Sequence, residues 1–355
     1  MLGHYSEMFI DMGLDSVPDS QWQFHPLDCY YESVAASLPE VDLTNLYMIS
    51  GSNEPLHQDP EALAVSRNVN SKLHFAEHAP QAGLPVPRTE VYSKRAIREG
   101  EADRMFSELP NGVMVKLLGL AGSRNVFAVD SVADCLDQIV EYDDAVQILL
   151  QEKLDISQWR EMTVDLTITP QDVSISNVRQ ILFAGGKWVG NYISPELEVP
   201  EAHKAVLMQV GAYARDHGHV AKEGINCGID YFVSGDEVIV TEINARWTGG
   251  LFPAEFLRRL AITQPAVAFF DMVPEAQSEA VRTFQREHLF PAAGDSFAYV
   301  PMGFTPFAME IEGEERYFVW QVVAGDFAAF VEAKRKALTE DAFPTADLIL
   351  QEALS

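Results

Sequence analysis

The run GINCGIDYFVSGDEVIVTEINARWTGG, from Gly224 to Gly250, constrains this chain more than any other stretch. Residues Gly228–Val233 form an alternating run, and Ser234-Gly235-Asp236 separates it from a second strand-like run, Glu237–Ile243. Two such runs, split by a glycine-bearing turn, predict a β-hairpin. Three oxygen-bearing side chains ride on it: Asp230, Glu242 and Asn244. Glu242 and Asn244 are two positions apart, so on an extended strand they share a face. Asp230 comes level with them if the hairpin pairs about Gly235. Two carboxylates and an amide on one face suit a hard divalent cation, which takes oxygen donors and commonly bridges substrate phosphates. Arg246 and then Thr248-Gly249-Gly250 follow at once, so a guanidinium and backbone amides for an anion lie beside these ligands in sequence. An exposed hairpin with acidic alternate positions gives the same pattern in a chain with 53 acidic residues, and the hairpin alone does not separate the two.

At 355 residues the chain is long enough for a large core and two or three domains. A formal charge of −28 argues against nucleic acid or an anionic membrane as a partner, since both need a basic face. An anionic substrate would then need a locally built cationic site, which makes each lysine or arginine near a glycine loop informative. Cys29, Cys135 and Cys227 show no pairing or metal-ligand spacing, which fits a reducing compartment. The opening residues lack a basic start followed by a long apolar run, and no stretch reaches membrane-spanning length. The expectation is a cytoplasmic protein.

Taken in order, a strand is expected at Leu46–Ser50, helical spacing over Pro60–Ala79, and a polar helix over Lys94–Leu109. Between the helices, Leu84-Pro85-Val86-Pro87 forces extended backbone. The strand Val113-Met114-Val115-Lys116 runs into Leu117–Asn125, a loop holding Gly119, Gly122, Ser123 and Arg124, before a second strand at Val126–Val129. A hairpin with such a tip can fold over phosphates, with Lys116 as a point charge, although an ordinary flexible tip reads the same way. A capped helix over Ser131–Tyr142 follows, then strands at Val146–Leu150, Glu161–Thr169, Ser174–Phe183 and Lys187–Ile193, and a helix over Glu201–His217. Beyond the opening hairpin, Phe252–Leu260, Gln264–Phe270 and Asp326–Leu338 read as helices. This is an α+β layout with a largely antiparallel sheet. It has neither a dinucleotide glycine fingerprint nor a Walker-type loop.

Four pieces, in this order, resemble the ATP-grasp superfamily. Ser71-Lys72-Leu73 with Ala82–Pro87 resembles the family's opening segment, and Val115-Lys116 with its glycine loop resembles the phosphate-covering hairpin. Glu152-Lys153-Leu154 resembles the hinge that receives adenine, and Asp230 with Glu242-Ile243-Asn244-Ala245-Arg246 resembles the magnesium-binding strands. The likeness spans roughly Ser71 to Leu260. It departs from the family at Ala245, where proline is common, and in the short region before Ser71. The resemblance implies an ATP-grasp fold, two α+β subdomains with mostly antiparallel sheets that clasp ATP. The expected division is a short N-terminal region at 1–75, a small subdomain at 76–155, a large one at 156–275 and a C-terminal extension at 276–355.

The resemblance also implies roles. Lys72 and Lys116 contact ATP phosphates under the loop of Gly119, Gly122 and Ser123; Glu152, Lys153 and Leu154 read adenine, and Glu161 holds the ribose. Asp230, Glu242 and Asn244 hold two Mg²⁺ ions, for which Mn²⁺ can substitute. Arg246 steadies the transferring phosphoryl group or the substrate carboxylate, and with Lys116 forms the catalytic pair. Such charges make sense wherever phosphate is passed to a carboxylate, because two anions must meet. The implied activity is an ATP-dependent carboxylate–amine ligase acting on a small amino-acid-like metabolite in specialised biosynthesis, with a homodimer as one option for its assembly. Intramolecular lactam closure and a non-catalytic ATP-binding regulator are the alternatives.

Overall fold

The structure, a computed structural model, describes residues 2–14, 36, 60–117, 126–304, 308–311, 313–339 and 342–354. The expected strand at Leu46–Ser50, Cys29, and the loop carrying Gly119, Gly122, Ser123 and Arg124 lie outside these residues. The chain divides into two compact units, one from His25–Asn177 and Val199–Thr248, the other from Met1–Phe24, Val178–Glu198 and Gly249–Ser355.

The first unit contains a four-stranded antiparallel sheet of β1 (Thr89–Ser93), β2 (Val113–Leu117), β3 (Val126–Val129) and β4 (Gln147–Glu152), in the order β1-β4-β2-β3. Val113, Val115 and Leu117 of β2 point into a core shared with Ile97, Met105 and Cys135 of the covering helices. Side chains alternate across a strand, so Lys116 is sent to the opposite face. The expected helix over Lys94–Leu109 is instead two, Lys94–Arg98 and Asp103–Glu108, because Gly100 between them adopts φ +89°, which ends a right-handed helix. Pro60–Ala79 likewise divides into Pro60–Val69 and Lys72–His78. Ser71 starts the second of these by accepting a hydrogen bond from the His74 amide, and thereby places Lys72 in its first turn.

The same unit carries β5 (Arg160–Ile168), β8 (Ile225–Ser234) and β9 (Glu237–Asn244), antiparallel and in the order β5-β8-β9. The helix Glu201–Asp216 buries Leu207, Val210, Gly211 and Ala214, a spacing of three and four that makes one apolar stripe. A Cβ at Gly211 would collide with Val173 and stand 3.0 Å from Leu166. Glycine there is what permits the close approach.

In the second unit the strands run β11 (Phe297–Phe304), β13 (Glu314–Gly325), β10 (Ala266–Pro274), β7 (Lys187–Ile193) and, from Val178 onward, β6 (Val173–Ala184), with β12 (Met309–Ile311) paired to β13. The residues Gln264–Phe270, expected as helix, belong largely to β10. Val267, Phe269 and Val273 enter one core while Ala266 and Ala268 enter another. With both faces covered the strand has no polar alternation, and a short apolar run of that kind cannot be told from helix by periodicity. Its pairing with β13 over Ala266–Pro274 decides the matter. Asp271 of β10 is fully buried and accepts a hydrogen bond from the Thr345 amide at 2.6 Å. No described helix is long and apolar enough to cross a membrane.

Candidate active site

The residues singled out around the hairpin of β8 and β9 meet within the first unit. Its ladder pairs Asp230 with Glu242 and Gly228 with Asn244, and a bulge interrupts it next to Asp230 and Tyr231. Directly opposed side chains on an antiparallel pair are close neighbours, so the two carboxylates face one another across strands. Asn244 Nδ2 donates to Asp230 Oδ2 at 3.1 Å, and Arg246 Nη2 donates to Asn244 Oδ1 at 2.6 Å. Lys72 Nζ is ion-paired with Glu242 Oε1. Lys116, only 7 % exposed, donates from Nζ to the Thr241 carbonyl at 3.3 Å.

Charge at this place is mutually adjusted. Burial pulls the Lys116 ammonium down to about 8, against the raising influence of Glu242. Burial alone would raise the Glu242 carboxyl, but Lys72 and Lys116 more than offset it and hold the group below the usual carboxylate range. Burial pushes the Glu161 carboxyl up to about 8, aided by Asp230 and opposed by Lys116. Glu161 therefore belongs to the same electrostatic group as the hairpin residues.

A narrow cleft opens beside these residues. Its walls combine Phe75, Val86, Leu149 and Val240 with Lys72, Lys116, Gln151 and Glu242. Apolar walls with a few convergent polar groups are what a planar base with an attached anion requires. Gln151, the residue before the expected hinge, lines the cleft and donates to Thr89 Oγ1 at 3.0 Å. In the hinge itself, the Glu152 amide donates to the Arg88 carbonyl at 2.8 Å and the Lys153 amide to the Gly112 carbonyl at 3.4 Å. An adenine edge would have to be read by other backbone groups of Glu152–Leu154.

The donor set fits a hard cation carried by phosphates. Among the described residues no three His, Cys, Asp or Glu side chains form a preassembled metal cluster. The hairpin instead offers two carboxylates and one amide oxygen, and phosphate oxygens would complete the coordination. The Asn244 oxygen already accepts from Arg246, and its second lone pair leaves capacity for an ion.

Sequence reasoning missed Asp165 and Asn226 and gave Thr248 only as part of the amide-bearing segment after Arg246; all three are buried polar residues of the same unit. The available signal was an ionisable residue and an amide inside otherwise apolar strand runs. Arg179 lies in the other unit, on β6, where it is buried and packed so tightly against Gly250 that a Cβ there would collide with its guanidinium.

No family model matches the chain, and neither does any curated protein. Solved structures do match. A phosphoribosylamine–glycine ligase from Thermotoga maritima aligns with TM-score 0.58 at 14 % identity, over 96 % of this chain and 95 % of that one. The biotin carboxylase domain of the Hydrogenobacter thermophilus 2-oxoglutarate carboxylase, a dimer complexed with MgADP, ADP and bicarbonate, aligns with TM-score 0.55 at 11 % identity, over 82 % and 72 %. A carboxyaminoimidazole ribonucleotide synthase from Aspergillus clavatus, complexed with ATP, aligns with TM-score 0.53 at 13 % identity, over 81 % and 75 %. The chain has the ATP-grasp fold.

Proposed function

We propose that the protein is an ATP-dependent carboxylate–amine ligase that forms an amide bond through an acyl phosphate. The observation that carries this reading is that Lys72, Lys116 and Glu242 line one cleft, while Asp230, paired with Glu242 across the hairpin, is hydrogen-bonded to Asn244 and Asn244 to Arg246. Solved structures of the same fold hold ATP or MgADP, which supports nucleotide and Mg²⁺ as the ligands here.

The substrate carboxylate attacks the γ-phosphorus, the bond to the ADP oxygen breaks, and an acyl phosphate forms. An amine then attacks the acyl carbon, phosphate leaves with the bonding pair, and the nitrogen gives up one proton, which the departing phosphate can carry. Lys72, ion-paired with Glu242 here, would turn to phosphate and leave the Glu242 carboxylate free as a metal ligand. Lys116, nearly buried in the cleft wall, would meet the phosphates. Arg246 steadies charge on the transferring group or the incoming carboxylate. Asp230, Glu242 and Asn244 would hold Mg²⁺, proposed as two ions, and the metal would supply positive charge against that of the phosphates. The substrates are small and amino-acid-like, the role is in specialised biosynthesis in the cytoplasm, and a homodimer is the proposed assembly.

The test is release of ADP and phosphate across a panel of carboxylates, with and without added amines. ADP formed only with a carboxylate, together with an amide product by mass, is the expected result. Phosphate release with one substrate alone, and a product lighter by one water, would indicate lactam closure. Tight ATP binding without ADP release anywhere in a broad panel would overturn the ligase in favour of a nucleotide-binding regulator.

A further inference from the structure

Below Arg246 lies a polar group with no place in the phosphate- and metal-facing roles. Asp165, on β5, has no exposed surface at all. A carboxylate in that position is costly unless it is hydrogen-bonded, and an apolar side chain of similar size would stabilise the fold at least as well. What a carboxylate adds is direction. Asp165 Oδ1 accepts from Asn226 Nδ2 at 3.0 Å and from Thr248 Oγ1 at 2.8 Å. Asn226 Nδ2 also donates to the Arg246 carbonyl at 2.8 Å. One acceptor thus fixes two donors, and both serve the segment that bears Arg246.

From that segment the bonds continue outward. Arg246 reaches the Asn244 oxygen, and the Asn244 amide reaches Asp230. Two sets of hydrogen bonds, one on the Arg246 carbonyl and one from its guanidinium, are thus joined through Arg246 itself between a buried carboxylate and Asp230, one of the candidate metal ligands. Gly228 makes the inner end feasible. It lies opposite Asp165 in the β5–β8 ladder, and a Cβ there would collide with the Thr248 methyl and sit 3.4 Å from Asp165 Oδ1. Glycine clears the space through which Thr248 reaches the carboxylate.

We propose that Asp165 is a positioning residue for Arg246 and, through it, for Asn244 and Asp230, with Asn226 and Thr248 as its two arms. This rests on the reading of those three residues as phosphate- and metal-facing. Outer groups that orient metal ligands commonly change metal affinity by 10- to 100-fold when removed. The nucleotide cleft is lined by other side chains, such as Phe75, Val86 and Leu149, so its grip on a metal-free nucleotide should not follow.

The experiment compares the full-length wild type with D165A, T248V and T248S. ADP affinity is measured by calorimetry without metal, and Mn²⁺ affinity by electron paramagnetic resonance at saturating ADP. D165A and T248V should weaken Mn²⁺ binding by about 10-fold or more, with metal-free ADP affinity within about 2-fold of wild type and T248S close to wild type on both. T248V carries the test if D165A does not fold. Wild-type Mn²⁺ affinity in T248V would overturn the proposal, as would an equal fall in both affinities, which is the signature of a merely structural role. A wild type that binds ADP but takes up no Mn²⁺ would overturn the underlying metal reading instead, and this proposal with it.

Discussion

Lys72 and Glu242 are ion-paired, although the proposed reaction would need them for different partners, phosphate for the lysine and metal for the carboxylate. Each keeps the other compensated until the nucleotide arrives, so the cleft is spared an isolated charge. Glu242→Gln retains shape and an acceptor for Lys72 but removes the anionic ligand. Because the pair is mostly buried, leaving Lys72 without its counter-charge should also cost about 1–3 kcal/mol of stability. Metal-dependent ADP formation should fall by roughly 100-fold or more, the scale of losing one charge stabiliser in the transition state. Full activity in this variant, read with a coupled ADP assay, would remove Glu242 from the metal site.

Lys116 is nearly buried and lines the cleft, with its ammonium on the Thr241 carbonyl. Lys116→Ala should weaken ATP binding by roughly 10- to 100-fold, the worth of one hydrogen bond to a charged group. Calorimetric titration with ATP checks this. An unchanged Kd would place the phosphates elsewhere.

Gly211→Ala sets two effects against each other. Alanine favours the helix by about 1 kcal/mol, but forcing a methyl into a packed core costs about 1–3 kcal/mol. The new Cβ would meet both Val173 and Leu166, so overpacking should win and the variant should be less stable by about 1–2 kcal/mol. A higher melting temperature than wild type would show that the helix simply shifts.

Asp271 predicts a pH dependence of stability. Burial pushes its carboxyl from 3.8 up to about 8. The folded state therefore keeps a proton that the unfolded state gives up. Its contribution is fully present below pH ~4, the unfolded value, and is lost as pH rises to about 8, with a slope of at most ~1.4 kcal/mol per pH unit. Asp271→Asn keeps an acceptor for the Thr345 amide and has no proton to lose. Urea midpoints between pH 5 and 9 should fall for wild type relative to the variant. Parallel curves would mean that Asp271 ionises normally.

The fold was legible where sequence patterns are local. The hairpin of β8 and β9 announced itself by two strand-like runs about Gly235, and the order of lysine, hinge and carboxylates pointed to the ATP-grasp fold. Helix breaks were harder, because Gly100 and Ser71 each act through one backbone conformation or one cap inside an otherwise helical pattern. The strand β10 was illegible in principle, since burial on both faces erases the period that would identify it.

The candidate site divides in the same way. Asp230, Glu242 and Asn244 could be grouped because strand periodicity relates them. The ion pair of Lys72 with Glu242 joins residues far apart in the chain, and no local pattern encodes it. Asp165 was passed over because a lone acid within an apolar strand does not name its partners. Only the packing of Asn226 and Thr248 against it does so.

The bulge beside Asp230 makes the hairpin a matter of counting. The buried residues of β8, Ile229, Tyr231 and Val233, pair with Ile243, Val240 and Val238 of β9. From Val238 to Val240 the step is the ordinary two, but from Val240 to Ile243 it is three. Thr241 absorbs the difference. The packing half and the ligand half of β9 are thus out of phase by one residue. Removing Thr241 would set them in phase and turn either the apolar residues or the ligands to the wrong face. The length of this strand is therefore as much a part of the site as its side chains. A single-residue deletion could silence the site with Asp230, Glu242 and Asn244 all still in the sequence.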